Sequence, residues 1–250
     1  MKKVLFILLS FIMIFGLVAC GGDKPVDPVD PNNGDNPAVN PGDDDKGLTA
    51  KNLQAAFKAL EKEYKDSKGA SVNVNLVNGE ETMNIVLTYK IGSDNLYSAL
   101  QYELRGETEI AIYIQEGYVY SSANGSKSKE VLETSVNDTI KNDYGLDALL
   151  EPITKFYGEA GLYDCLTKES ENNGVYVFAL DLANYSKLSE TKSFATAGKD
   201  SIKIIVTTVS EKITTVKVEV KEGEKTSSTE IKYQGLNAEP VFPSDLDTYK

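Results

Sequence analysis

Through most of the chain beyond residue 70, apolar side chains fall on every second position, the period of a strand with one buried and one wet face. Val72, Val74 and Leu76 share a face. Met83, Ile85, Leu87, Tyr89 and Ile91 form the longest such run, with Asn84, Thr88 and Lys90 opposite. Similar runs cover 96–104, 110–114, 118–122, 174–182, 201–209, 214–221 and 227–234, which makes nine predicted strands. Between 72 and 122 no link reaches the dozen or so residues a parallel crossover needs, so these strands should meander antiparallel. Glu116-Gly117 and Lys221-Glu222-Gly223-Glu224 mark hairpin turns.

Two stretches change period. Leu53, Ala56, Phe57, Leu60 and Tyr64 recur at helical spacing opposite Lys51, Lys58, Lys62 and Lys65. Thr49 reads as the N-cap of this helix, Leu48 and Leu53 as its hydrophobic staple, and Gly69 as the C′ residue that ends it. Between 128 and 160, Val131, Leu132, Val136 and Ile140, then Leu146, Leu149, Leu150, Ile153, Phe156 and Tyr157, predict two more helices separated near Asp143 to Gly145. Pro152 should kink the second helix or stand in its first turn. The closing Glu239-Pro240-Val241-Phe242-Pro243 reads as extended coil with Val241 and Phe242 against the sheet.

The first residues speak about address. After Met1-Lys2-Lys3, the run Val4 to Val18 is apolar except for Ser10 and Gly16, and shorter than the ~20 residues a membrane span needs. It closes on Leu17-Val18-Ala19-Cys20, which resembles the lipobox of bacterial lipoprotein precursors. That resemblance implies a signal peptide over 1–19 and a mature chain beginning at an acylated Cys20, anchored to the cell membrane on its outer side. Two acyl chains at ~0.8 kcal/mol per methylene hold such a protein without a transmembrane helix. Residues 20–47 carry Pro25, Pro28, Pro31, Pro37 and Pro41 among aspartates and asparagines, too polar to form a core, and read as a tether. Its reach lies between ~30 Å as a coil and ~80 Å as polyproline II. Residues 48–250 then form a single domain, long enough to bury about 70% of its unfolded surface.

Charge and residue chemistry remove several functions. The net charge is −12, and −14 once residues 1–19 take Lys2 and Lys3 with them. Arg105 is the sole arginine, so the basic patch that nucleic acid requires is missing. No histidine occurs, which excludes Ser-His-Asp and Cys-His catalysis and histidine-bound zinc. Asp30 to Asp35 resembles the start of a calcium loop, but counting from Asp30 puts Gly34 fifth and Pro41 twelfth, where an EF-hand needs glycine sixth and glutamate twelfth. No metal and no cofactor is expected. Acylation of Cys20 leaves Cys165, flanked by apolar residues, as a small core side chain. Glu80 with Glu81, Glu107 with Glu109, and Glu222 with Glu224 sit at strand ends among lysines, where carboxylates are solvated rather than tuned for catalysis. The domain is expected not to be an enzyme. Tyr118 and Tyr120 share a strand face, with Tyr113 across the turn, an arrangement that suits a recognition surface.

A lipobox, an acidic tether, one amphipathic helix and nine long strands interrupted by helices together resemble the half-barrel lipoproteins related to LolA, LolB and the LppX/LprG type. The resemblance implies an α+β fold in which a curved, mostly antiparallel sheet, an open half-barrel, wraps around the N-terminal and mid-chain helices. It also implies an apolar concavity that carries lipid or acyl chains. The strand pattern places Phe57, Leu60, Met83, Ile85, Leu87, Leu100, Tyr102 and Ile112 on its lining. The alternative is a cell-surface module with a solid core that binds a protein or glycan through its sheet face or loops.

Overall fold

A computed structural model describes residues 47–150, 159–188 and 194–250. Cys20, the apolar leader, the tether up to residue 46, Pro152, Ile153, Phe156 and Tyr157 lie outside the described residues. Eleven strands form one antiparallel, curved and unclosed sheet, the expected α+β half-barrel.

The chain enters as helix α1, Ala50–Asp66. Thr49 caps it as expected, through a box with Asn52: the Asn52 N–H donates to the Thr49 hydroxyl at 3.3 Å, and the Thr49 N–H donates to the Asn52 side-chain oxygen at 2.7 Å. Leu53, Phe57, Leu60 and Tyr64 are its buried stripe. The helix stops earlier than its sequence implies, with Ser67 as C-cap, and Gly69 is already the first residue of a strand. A β-carbon at Gly69 would stand 3.0 Å from the Tyr89 carbonyl oxygen, so close strand approach, rather than a helix end, accounts for this glycine.

Six strands follow as one meander: β1 Gly69–Asn78, β2 Glu81–Ile91, β3 Tyr97–Arg105, β4 Ile110–Gln115, β5 Tyr118–Ala123 and β6 Ser126–Val131. Helix α2, Thr134–Tyr144, residues 146–150 and the short helix Ala160–Asp164 are the helical parts among the described residues of the connection to β7, Leu166–Asn172. A second meander returns as β8 Val175–Leu180, β9 Ser201–Val209, β10 Lys212–Glu222 and β11 Lys225–Leu236. The spatial order is β6-β5-β4-β3-β2-β1-β11-β10-β9-β8-β7, so the two meanders meet at a central β1–β11 seam and the helical connection joins opposite edges. Eleven strands at ~4.8 Å spacing would span ~48 Å if flat. Bulges at Ser71/Val72, Lys90/Ile91, Ile213/Thr215 and Lys168/Ser170 bend the ladder.

Two strands are additional to the nine expected, and they are the two edges. β6 reads Ser-Lys-Ser-Lys-Glu-Val and is exposed throughout, while β7 reads Leu-Thr-Lys-Glu-Ser-Glu-Asn. Neither alternates in hydrophobicity, because an edge strand gains more from charges that discourage pairing with other chains than from a buried face. Val131, expected in a helix, closes β6 instead, and helix α2 begins only at Thr134. Leu182, expected to end a strand, opens a helical turn, Leu182–Tyr185. Glu116-Gly117 is the turn expected of it, with φ of 52° and 78°, the left-handed pair of a type I′ hairpin.

The inner face carries the core. Across β1 to β4, Val72, Leu87, Tyr102 and Ile112 align in one row and Val74, Ile85, Leu104 and Ile110 in the next. Helix α1 lies on this face, its Tyr64 ring edge-on to Tyr233 at 5.0 Å, and it packs against Ala160–Asp164. Cys165 is buried at the foot of β7, where burial pushes its thiol pKa up.

Candidate functional site

Along the first meander the inner-face rows change character toward the β6 edge. The row of Leu87, Tyr102 and Ile112 continues into Ser121 and Ser128, and the row of Ile85, Leu104 and Ile110 into Ala123 and Ser126. Helix α2 covers the opposite end of these strands. The Asn137 side-chain oxygen accepts from the Tyr97 N–H at 2.9 Å, and Tyr144 packs edge-on to Tyr102 at 5.1 Å. Small side chains on β5 and β6 do not fill the space that α2 leaves, and a half-open cavity of about 350 Å³ results. Its apolar walls are Ile110, Ile112 and Val119 from the sheet and Val136, Ile140 and Tyr144 from α2. Its hydroxyl wall is Ser121, Ser126 and Ser128, with Ser121 and Ser128 hydrogen-bonded at 2.7 Å. The Thr139 hydroxyl donates back to the Ser135 carbonyl at 2.9 Å.

All eight side chains expected to line a concavity belong to one continuous core. Phe57, Leu87 and Leu100 are fully buried, and Leu60, Met83, Ile85 and Tyr102 are nearly so. Ile112 is the one among them that reaches the cavity wall, and Tyr102 touches that wall through Tyr144. Ile110 and Val119 stand on strands the sequence does mark, whereas Ser126 and Ser128 stand on β6, which has no apolar alternation. Asn124-Gly125, a type I′ turn with φ of 49° and 83°, is the sequence signal that would have placed Ser126 and Ser128 beside Ile110 and Ile112.

The outer face of the same strands holds the C-terminal segment. Phe242 packs on Tyr113 at 6.4 Å and Tyr249 on Tyr120 at 5.8 Å. Lys127 pairs with Asp245, donates to the Thr248 hydroxyl at 3.2 Å and lies 4.9 Å from the centre of the Tyr249 ring. At the free edge of β6 the Lys129 N–H donates to the Lys250 carbonyl at 2.9 Å. The tyrosine cluster is therefore largely occupied from within the chain: Tyr113 is buried and Tyr120 half-buried, with Tyr118 left 40% exposed beneath the Lys129 ammonium.

Under this segment Glu103 is buried on β3. Burial alone would raise its carboxyl, but hydrogen bonds from Gln101 at 3.1 Å, from the Tyr113 hydroxyl at 2.9 Å and from Arg105 hold it below the ordinary glutamate value. A folded-state pKa below the unfolded one adds stability above the unfolded pKa and loses it as pH falls through the folded value. Glu103→Gln should cost about 1–2 kcal/mol at pH 7. Urea titrations from pH 7 to pH 3 should show the gap between wild type and variant closing below about pH 4.5. A gap that stays constant would show that ionisation of Glu103 is not what stabilises this face.

Among the described residues no helix is long and apolar enough to cross a membrane, and no cluster of acidic or cysteine side chains has the makings of a metal site. The paired carboxylates at 80–81, 107 and 109, and 222 and 224 are all exposed.

No protein-family model and no curated sequence matches the chain. Among solved structures it is similar to the lipoprotein LppX of Mycobacterium tuberculosis, at 12% identity and a TM-score of 0.37, over 78% of this chain and 99% of that one. It is also similar to LprF from Mycobacterium bovis, at 10% identity and a TM-score of 0.35, over 78% of this chain and 97% of that one. Likeness at this level assigns no family.

Proposed function

We propose that this protein is an exported lipoprotein, acylated on Cys20 and held at the outer side of the bacterial cell membrane, that binds the acyl part of a lipid-like molecule without catalysis. The observation that carries the reading is the cavity between α2 and strands β4 to β6: about 350 Å³, open to solvent, and walled by six large apolar side chains. That volume lies at the lower end of small-molecule sites, which run from ~300 to ~1,000 Å³. An acyl chain entering it gains ~0.8 kcal/mol per methylene removed from water. The tether over residues 20–47 supplies the reach to collect such a chain close to the bilayer.

Ser121→Phe tests the reading, because Ser121 stands between Ile112 and Ser128 and a phenyl ring there fills the cavity from the sheet side. Full-length wild type and variant would be purified in parallel and extracted with organic solvent, and the extracts quantified by mass spectrometry. Wild type should retain a lipid at near one per chain and the variant at least tenfold less. Equal recovery from both would defeat the assignment of the cavity as the ligand site.

A further inference from the structure

We infer that the ligand is a single-chain amphiphile with an uncharged, hydroxyl-bearing head, an inference that rests on the apolar-ligand reading above. Three observations specify it. The cavity is small: about 350 Å³ suits one aliphatic chain rather than two. The cavity is two-sided: Val136, Ile140 and Tyr144 of α2 face a sheet wall in which the hydroxyls of Ser121, Ser126 and Ser128 and the Glu130 carboxylate stand beside Ile110, Ile112 and Val119. Each hydroxyl offers one donor and two acceptor positions. The mutual Ser121–Ser128 bond at 2.7 Å consumes one donor and one acceptor, which leaves that pair one donor and three acceptor positions for a ligand.

The third observation is charge. The described charged side chains at the cavity are Lys127 and Glu130. Lys127 opposes Ser122, which places it on the outer face, where Asp245, Thr248 and the Tyr249 ring engage its ammonium. Glu130 opposes Val119 and so belongs to the inner face with the serines. A phosphate or carboxylate head would meet a like charge at the rim and no inward-facing cation, which disfavours it. A glycerol-type head satisfies the serines without that penalty, whereas a methyl ester leaves them to water or to each other.

The test uses the full-length protein and three probes that share a twelve-carbon chain: 1-monolauroylglycerol, methyl laurate and lauroyl lysophosphatidylglycerol. Affinity is read below the micellar range by displacement of a fluorescent apolar dye. The monoacylglycerol should bind about tenfold more tightly than either of the others, the effect of roughly one well-made hydrogen bond or one avoided like-charge contact. Replacing both serines, Ser121→Ala with Ser128→Ala, should erase the advantage over methyl laurate while leaving methyl laurate affinity within twofold. Equal binding of all three probes, or tightest binding of the anionic one, would overturn the head-group assignment and leave the cavity reading standing. Displacement by none of them would overturn both.

Discussion

Replacing Cys20 with serine should move the protein from the membrane pellet to the soluble fraction almost completely. The argument is one of magnitudes. Two acyl chains contribute ~0.8 kcal/mol for every methylene they bury, and two chains suffice for stable anchoring where one is marginal. Among the described residues no helix is long and apolar enough to span the bilayer, and the net charge of −12 repels anionic headgroups. Serine keeps the size of the side chain and removes the thiol on which we propose the lipid is carried. Fractionation after growth with labelled palmitate reads both steps, and a Cys20→Ser protein that stays in the pellet would remove the basis for lipid anchoring.

Phe57→Ala should be the most damaging single change within the folded domain, at about 3–5 kcal/mol. Phe57 is fully buried in the middle of the α1 stripe, between Leu53 and Leu60, where the helix meets the inner face of the sheet. Truncation loses the transfer energy of the ring and leaves a void that a continuous sheet has little freedom to close. Set against a total stability of 5–15 kcal/mol for an ordinary domain, this is a large fraction. Lys58→Ala, one residue along on the exposed face, should change stability by less than about 0.5 kcal/mol. Denaturant midpoints that moved equally for the two variants would mean that α1 is not held through its apolar stripe.

The interior strands and α1 were legible because burial on one face imposes a period, and the period survives in the sequence as Met83-x-Ile85-x-Leu87-x-Tyr89 or as Leu53, Phe57, Leu60 and Tyr64. The edges were not. β6 and β7 are specified by turn chemistry, Asn124-Gly125 and Asn173-Gly174 with both φ values positive, rather than by alternation. Losing β6 from the reading also lost the candidate cavity, which lies where Ser121 and Ser128 replace the large side chains found further along the same row. The eight side chains singled out, six on alternating strands and Phe57 and Leu60 on the helical stripe, belong to the core that such periods detect. A cavity is a failure of that pattern to fill space, and it is written in small residues that carry no periodic signal.

The central β1–β11 seam joins residues such as Asn75 and Glu230, 155 positions apart. At ~5–20 residues per second, β11 leaves the ribosome ~8–30 s after β1, and a chain threaded N-terminus first through a membrane delivers them in the same order. During that interval the inner edge of the first meander has no partner, and an unpaired edge is a template for pairing with other chains. Assembly of this sheet is thus completed at its middle, and late, as pairings of high sequence separation form slowly. For an exported chain a holding chaperone would protect that open middle, and a nonsense codon between β10 and β11 would leave the half-barrel split down its centre rather than shortened at its rim.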